Sequence, residues 1–243
     1  VPFKKGAYYY RFKNDGLQNF SALFRQKGLD GKETLVLDPN TFSNDASTSL
    51  SAWSFSKDGQ YLAYSISKSG SDWQDFFVMN PITGETLPDH LQYTKFSNIT
   101  WHKDGFFYSR YPMPETEKKL SAVNRQQQIY YHKIGTQQTD DVLVYKNDTQ
   151  SKQFLYLTNT EDEKYLFLHL ISGSSGNHTL YYTQTEKWRE GFLPIDESNN
   201  NKTYIIDQIN DHFIALTNHQ APNKKIVAIP VNKIGIDNWV DLI

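Results

Sequence analysis

There is no cysteine in the 243 residues. That absence removes disulfides, thiolate zinc sites and a cysteine nucleophile together. It leaves the compartment open, so a soluble chain of the cytoplasm or the periplasm fits equally. No uninterrupted apolar run approaches the roughly 20 residues that a membrane-spanning helix needs, and no membrane contact is expected. Neither charge sign dominates: 25 Lys and Arg stand against 27 Asp and Glu, a formal net charge of −2. The basic footprint of a nucleic-acid binder is therefore missing, as is the polybasic patch of a membrane-surface protein. No stretch holds a helical period. The start, VPFKKGAYYY, has no Met and no apolar core of a signal peptide, so it reads as a processed chain or as a piece of a longer one.

Aromatic residues are what the chain has in quantity: 16 Tyr, 15 Phe and 5 Trp, spread along its length. Flat and β-branched side chains suit a half-buried pleated surface, which favours strands. The strands recur in a unit. Lys57-Asp58-Gly59 lies between SAWSFS and QYLAYSIS, and Lys103-Asp104-Gly105 lies between NITWH and FFYSRY. Asp-Gly tolerates the left-handed backbone of a tight hairpin turn. Weaker copies centre on Glu161-Asp162-Glu163, on Asn210-Asp211 and on Lys4-Lys5-Gly6. A third strand follows each pair (NFSALFRQ, DFFVMN, QQIYYHKI, TLYYTQ, KKIVAIPV), then a short turn and a fourth. A period of about 40–50 residues with four short strands per unit is the pattern of β-propeller blades.

The expected fold is therefore all-β, a propeller of four-stranded antiparallel blades at about 1–45, 46–92, 93–148, 149–197 and 198–243. Each blade buries its faces only against neighbours, so Trp53, Phe55, Leu62, Tyr64 and Trp101 are expected in inter-blade core. Residues 112–127, PMPETEKKLSAVNRQQ, lengthen one connection well beyond the others. Such loops in compact domains are usually functional or disordered.

Chemistry is scarce by comparison. No G-x-S-x-G nucleophile elbow occurs, and Ser172-Gly173-Ser174-Ser175-Gly176 has the wrong glycine spacing. The seven histidines show no metal-ligand spacing. His132 and His169 lie on strands and are expected to be packed or hydrogen-bonded. Asp140-Asp141 and Glu161-Asp162-Glu163 read as turn carboxylates without a calcium-loop pattern. Five N-x-S/T sequons (Asn19, Asn98, Asn147, Asn177, Asn201) read as background in an Asn-rich chain. No catalytic residue, metal ligand or cofactor site is expected within the chain.

Several long strings, in order, carry a family resemblance: Asn14 to Asn19, ETLVLDPNTFS, FSKDGQYLAYSISKSGSDW, a W-x-x-D-G-x-F-Y-x-x-Y-P segment from Trp101 to Pro112, and QIYYHKIGTQQTDDVLVY. Together they resemble the N-terminal propeller of the prolyl oligopeptidases, serine peptidases that cut short peptides after proline. The likeness is close to about residue 150 and weaker from there to Trp239. It implies a seven-bladed propeller, about five blades of it present here, joined to a C-terminal α/β-hydrolase domain that carries a Ser-Asp-His triad. That peptidase domain would be the partner, short proline-containing peptides the substrates, and the propeller a size filter without catalytic groups of its own. The resemblance implies that Phe107 borders the substrate pocket, and His178 stands where the family presents a substrate-facing arginine. Arg110, at the same strand exit as Phe107, is a further substrate-facing candidate. The resemblance also implies that 112–127 gates entry, with Glu115, Lys118, Asn124 and Arg125 in the loop. A free-standing, TolB-like binding propeller and a glycosidase-type propeller with converging carboxylates stay open as alternatives. Either self-association through uncovered blade faces or curling into a tighter, distorted ring is also expected.

Overall fold

The turns explain the strands. Ser56 and Asp58 close the first Asp-Gly hairpin between them: Asp58 Oδ1 accepts from Ser56 Oγ at 2.7 Å and from the Gln60 amide at 3.0 Å. Gly59 takes the left-handed backbone, φ 74°, where a side chain would be strained. Thr160 and Asp162 repeat the device, with Asp162 Oδ1 accepting from Thr160 Oγ1 at 2.6 Å and from the Lys164 amide at 2.9 Å. These local bonds compete with helix and fix where each strand pair reverses.

The computed structural model describes residues 1–112, 126–149, 152–173, 176 and 178–243. Its strands form five four-stranded sheets, each in chain order. The first holds β1 (Phe3–Lys5), β2 (Tyr8–Lys13), β3 (Ala22–Lys27) and β4 (Thr34–Leu37). The second holds β5 (Thr48–Phe55), β6 (Leu62–Lys68), β7 (Trp73–Met79) and β8 (Thr86–Lys95). The third holds β9 (Thr100–His102), β10 (Gly105–Arg110), β11 (Gln128–Lys133) and β12 (Val142–Lys146). The fourth holds β13 (Gln153–Asn159), β14 (Tyr165–Ser172), β15 (His178–Gln184) and β16 (Leu193–Asp196). The fifth holds β17 (Tyr204–Ile209), β18 (His212–Thr217), β19 (Lys225–Pro230) and β20 (Val240–Asp241). Five meanders of four strands are the blade layout read from the repeats.

The chain divides into two compact units, residues 1–106 with 131–142, and 107–130 with 143–243. In the first, Tyr10, Leu23 and Leu37 of one sheet meet Phe55, Leu62, Tyr64 and Met79 of the next. In the second, Tyr165, Phe167, Leu180 and Ile195 meet Phe213, Ala215, Val227 and Ile229. Period-two alternation supplies these faces: Tyr165 and Phe167, Phe213 and Ala215, and Val227 and Ile229 each skip one residue. Burying one such large side chain is worth about 1.5–3 kcal/mol.

Four of the five expected core residues are buried, but Trp53 is 38% exposed. Its ring stacks on Phe3 at 5.2 Å and lies against Phe12 at 5.3 Å, so it joins two sheets while leaving an edge open. Trp101, by contrast, is buried, stacked on Tyr61, and donates its indole N–H to the Ser54 carbonyl at 3.2 Å.

Phe213 is fully buried, with edge contacts to Phe167 at 4.9 Å and Tyr165 at 5.0 Å. Phe213→Ala is expected to lower stability by about 3–5 kcal/mol, measured by urea unfolding. A loss under about 1 kcal/mol would mean that this ring does not hold the fifth sheet to the fourth.

Candidate functional site

Two of the expected site residues, Phe107 and Arg110, lie on β10. Phe107 is 1% exposed and meets the Trp188 ring edge-on at 5.6 Å. Trp188 sits in the 3-10 turn Thr185–Glu190 and is itself covered by the Arg189 guanidinium, 4.0 Å from its ring. Phe107 is thus the inner member of a stack and offers no open face. Arg110, at the strand's end, is half-buried, with its guanidinium 4.0 Å over the Tyr130 ring. Such a contact desolvates little of the charge and leaves the fork's edges able to take an anion.

Gln127, where the long connection re-enters the sheet, is a residue that sequence reading missed. It is buried, donates to Ser109 Oγ at 3.1 Å and accepts from the Leu155 amide at 2.7 Å. One side chain therefore ties β10 to β13 just where the connection ends. The connection's own candidates, Glu115, Lys118, Asn124 and Arg125, lie outside the described residues.

His178 lies elsewhere, at the start of β15, in a buried pair with His169 of β14. Their rings are 5.6 Å apart. His178 Nε2 donates to the Thr203 carbonyl, and His169 Nε2 meets Thr158 Oγ1 at 3.0 Å. His169 also stacks on Tyr156 at 4.4 Å. Burial, aided by the neighbouring His178, pushes the His169 imidazole down to about 3. Burial also lowers His178, with the Thr203 bond and Asp196 opposing and Lys202 assisting. The Tyr156 hydroxyl is pushed up to about 12 by burial and then by Tyr204.

A third cluster was hidden from the sequence. His132 Nδ1 bonds Asp141 at 2.6 Å and its Nε2 bonds Asp89 at 2.9 Å, with all three side chains fully buried. Asp89 Oδ1 accepts from the Gly135 amide as well, at 2.7 Å. Burial alone would depress the imidazole, but the bonds to Asp141 and Asp89, and their charges, raise it to about 9. Asp141, read as a turn carboxylate, is half of this clamp because the turn folds back over β11. Gly105 lies beside it, and a Cβ there would fall 2.1 Å from the His132 carbonyl.

None of these groups forms a nucleophile and base in reach of solvent. Among the described residues no three His, Asp or Glu side chains are placed to hold a metal ion. The arrangement can present a cation at Arg110, backed by the Tyr130 ring.

All of residues 1–243 match the family model described as the prolyl oligopeptidase N-terminal beta-propeller domain. The chain is 37% identical over 244 residues to a prolyl endopeptidase of Elizabethkingia meningoseptica, covering 100% of this chain and 34% of that protein. It is 34% identical over 263 residues to prolyl oligopeptidase A of Amanita bisporigera, covering 93% of this chain and 34% of the relative. It spans about a third of the length of these relatives. A structure from a study of two prolyl endopeptidases superposes over the whole chain and 36% of that chain, with TM-score 0.90 at 23% identity. Prolyl oligopeptidase B of Galerina marginata, bound to a 35mer hydrolysis and macrocyclisation substrate, superposes over 100% of this chain and 36% of its own, with TM-score 0.86 at 26% identity.

Gln127→Ala would leave the buried Leu155 amide without an acceptor. The expected cost is about 1–3 kcal/mol, together with faster hydrogen exchange at Leu155. Unchanged exchange there would remove Gln127 from its anchoring role.

Proposed function

Because the chain belongs to the family of prolyl oligopeptidase N-terminal β-propeller domains, we propose that it is the gating and size-filtering part of a serine endopeptidase that cleaves short peptides after proline. One observation carries the reading. The match runs through every residue, yet the chain spans only 34% of a relative named for the peptidase activity. The nucleophile elbow absent from these 243 residues would belong to a C-terminal peptidase domain, the propeller's partner in the same protein.

Filtering is a task for backbone and packing rather than reactive groups, and the buried aromatic and histidine clusters suit it. A wall that does not yield excludes folded proteins, while an extended peptide enters. Of the residues assigned to substrate, Arg110 has the accessible charge and would take a peptide carbonyl or carboxylate. Phe107 and His178, both buried, would act on substrate through packing and not by an open face. The segment 112–127, with Glu115, Lys118, Asn124 and Arg125, would be the gate.

The 243 residues alone are expected to release no product from a proline-containing chromogenic peptide, while the protein in which they are joined to a serine peptidase domain cleaves it. Arg110→Ala in that protein is expected to raise KM about threefold to tenfold with little change in kcat. Turnover by the 243 residues alone would contradict the proposal.

The fifth sheet turns Ile206, Ile209, Val240 and Leu242 outward, each more than half exposed. They lie at the sheet's two edge strands, β17 and β20, and exposed apolar side chains of this kind favour association. The isolated 243 residues are expected to self-associate and to bind an apolar dye, as read by light scattering and fluorescence. A monodisperse, dye-free monomer would show that these side chains need no cover.

A further inference from the structure

We propose that the two compact units respond to pH with opposite sign: base loosens the first, where a buried imidazolium holds two carboxylates, and acid loosens the second, where two buried imidazoles are kept neutral.

Hydrogen-bond chemistry fixes the first state. Both ring nitrogens of His132 face carboxylate oxygens, Asp141 at 2.6 Å and Asp89 at 2.9 Å. An ionised carboxylate only accepts, so both nitrogens must donate, and only the imidazolium has two N–H groups. The groups facing His132 are Asp89 from β8, Asp141 from the turn before β12, and the uncharged Phe106 ring of β10 at 5.5 Å. Removing the proton would set one buried carboxylate oxygen against a bare ring nitrogen, lone pair to lone pair, in a site where Asp89 Oδ2 already lacks a partner. The clamp joins the second and third sheets through residues 43 apart in sequence.

The second state follows from the same chemistry. The Thr203 carbonyl can only accept, so His178 carries its proton on Nε2 and its Nδ1 is bare. Nδ1 of His178 and Nδ1 of His169 are both buried without a partner. Either imidazolium would hold a buried N–H at Nδ1 with no acceptor, and protonating both would set two cations in rings 5.6 Å apart. The groups facing this pair are Tyr156 from β13, Tyr204 from β17, Asp196 from β16 and Lys202 before β17. Asp196 is the single carboxylate among them, and Lys202 works against it.

The signs then follow by linkage. An unfolded histidine titrates near 6.5. His132, raised to about 9, stabilises fully below about pH 6.5 and ceases to as pH rises toward 9. His169, lowered to about 3, stabilises fully above about pH 6.5 and ceases to as pH falls. His178, also lowered, acts in the same direction as His169.

The test is amide hydrogen exchange on the full-length protein that carries this chain, from pH 5 to 9, with each rate normalised to its intrinsic value. Above pH 6.5, amides of Thr86–Lys95 and Tyr131–Val142 are expected to lose protection by up to about tenfold per pH unit, while those of Tyr165–Ser172 and Tyr204–Ile209 hold. Below pH 6.5 the second group is expected to lose protection, by up to about tenfold per unit for each histidine. His132→Gln should flatten the alkaline slope and His169→Phe the acid one. Where a variant fails to fold, the unmodified protein's two profiles decide. Slopes of the same sign in both units, flat profiles, or variants that keep the original slope would overturn the proposal.

Discussion

A short four-stranded sheet cannot bury both of its own faces, and every other feature of this molecule answers to that constraint. The first sheet sets Tyr10 and Leu23 against Phe55 and Leu62 of the second, and the fourth sets Tyr165 and Phe167 against Phe213 of the fifth. Large rings do this well because they fill the gap between twisted sheets with few side chains and meet edge to face. The aromatic richness of the composition is therefore a packing requirement. It also explains why so few side chains are left for chemistry.

Most of the fold was legible because hairpins are local. Ser56-Lys57-Asp58-Gly59 and Thr160-Glu161-Asp162 specify their turns within four or five residues, and the alternation on either side follows. Trp53 does pack between the first two sheets, against Phe3 and Phe12, but its 38% exposure depends on partners far off in the chain, which no local pattern encodes. The membership in the propeller family was legible too, carried by strings such as FSKDGQYLAYSISKSGSDW that join turn and strand in one piece.

The site was less legible, for physical reasons. Asp89 and Asp141 are unremarkable in sequence, and their pairing with His132 spans 43 and 9 residues. Trp188, which closes over Phe107, comes from a different sheet's last connection. Gln127 looked like the tail of a polar loop, and its function as an anchor exists only once β13 brings the Leu155 amide beside it. Sequence reading finds groups whose partners are near in the chain. The partners here are near only in the fold.

The histidine clusters and the proposed size-filter function would meet in one requirement, a scaffold that stays closed to folded proteins while passing extended peptides. Peptide length is therefore the variable to measure. In the protein that joins this chain to a serine peptidase domain, kcat/KM should be followed for a series of peptides with one proline cleavage site and increasing length, with and without residues 1–243. The account predicts a steep fall with length when the propeller is present and a shallow one when it is removed. The same length dependence in both would contradict it.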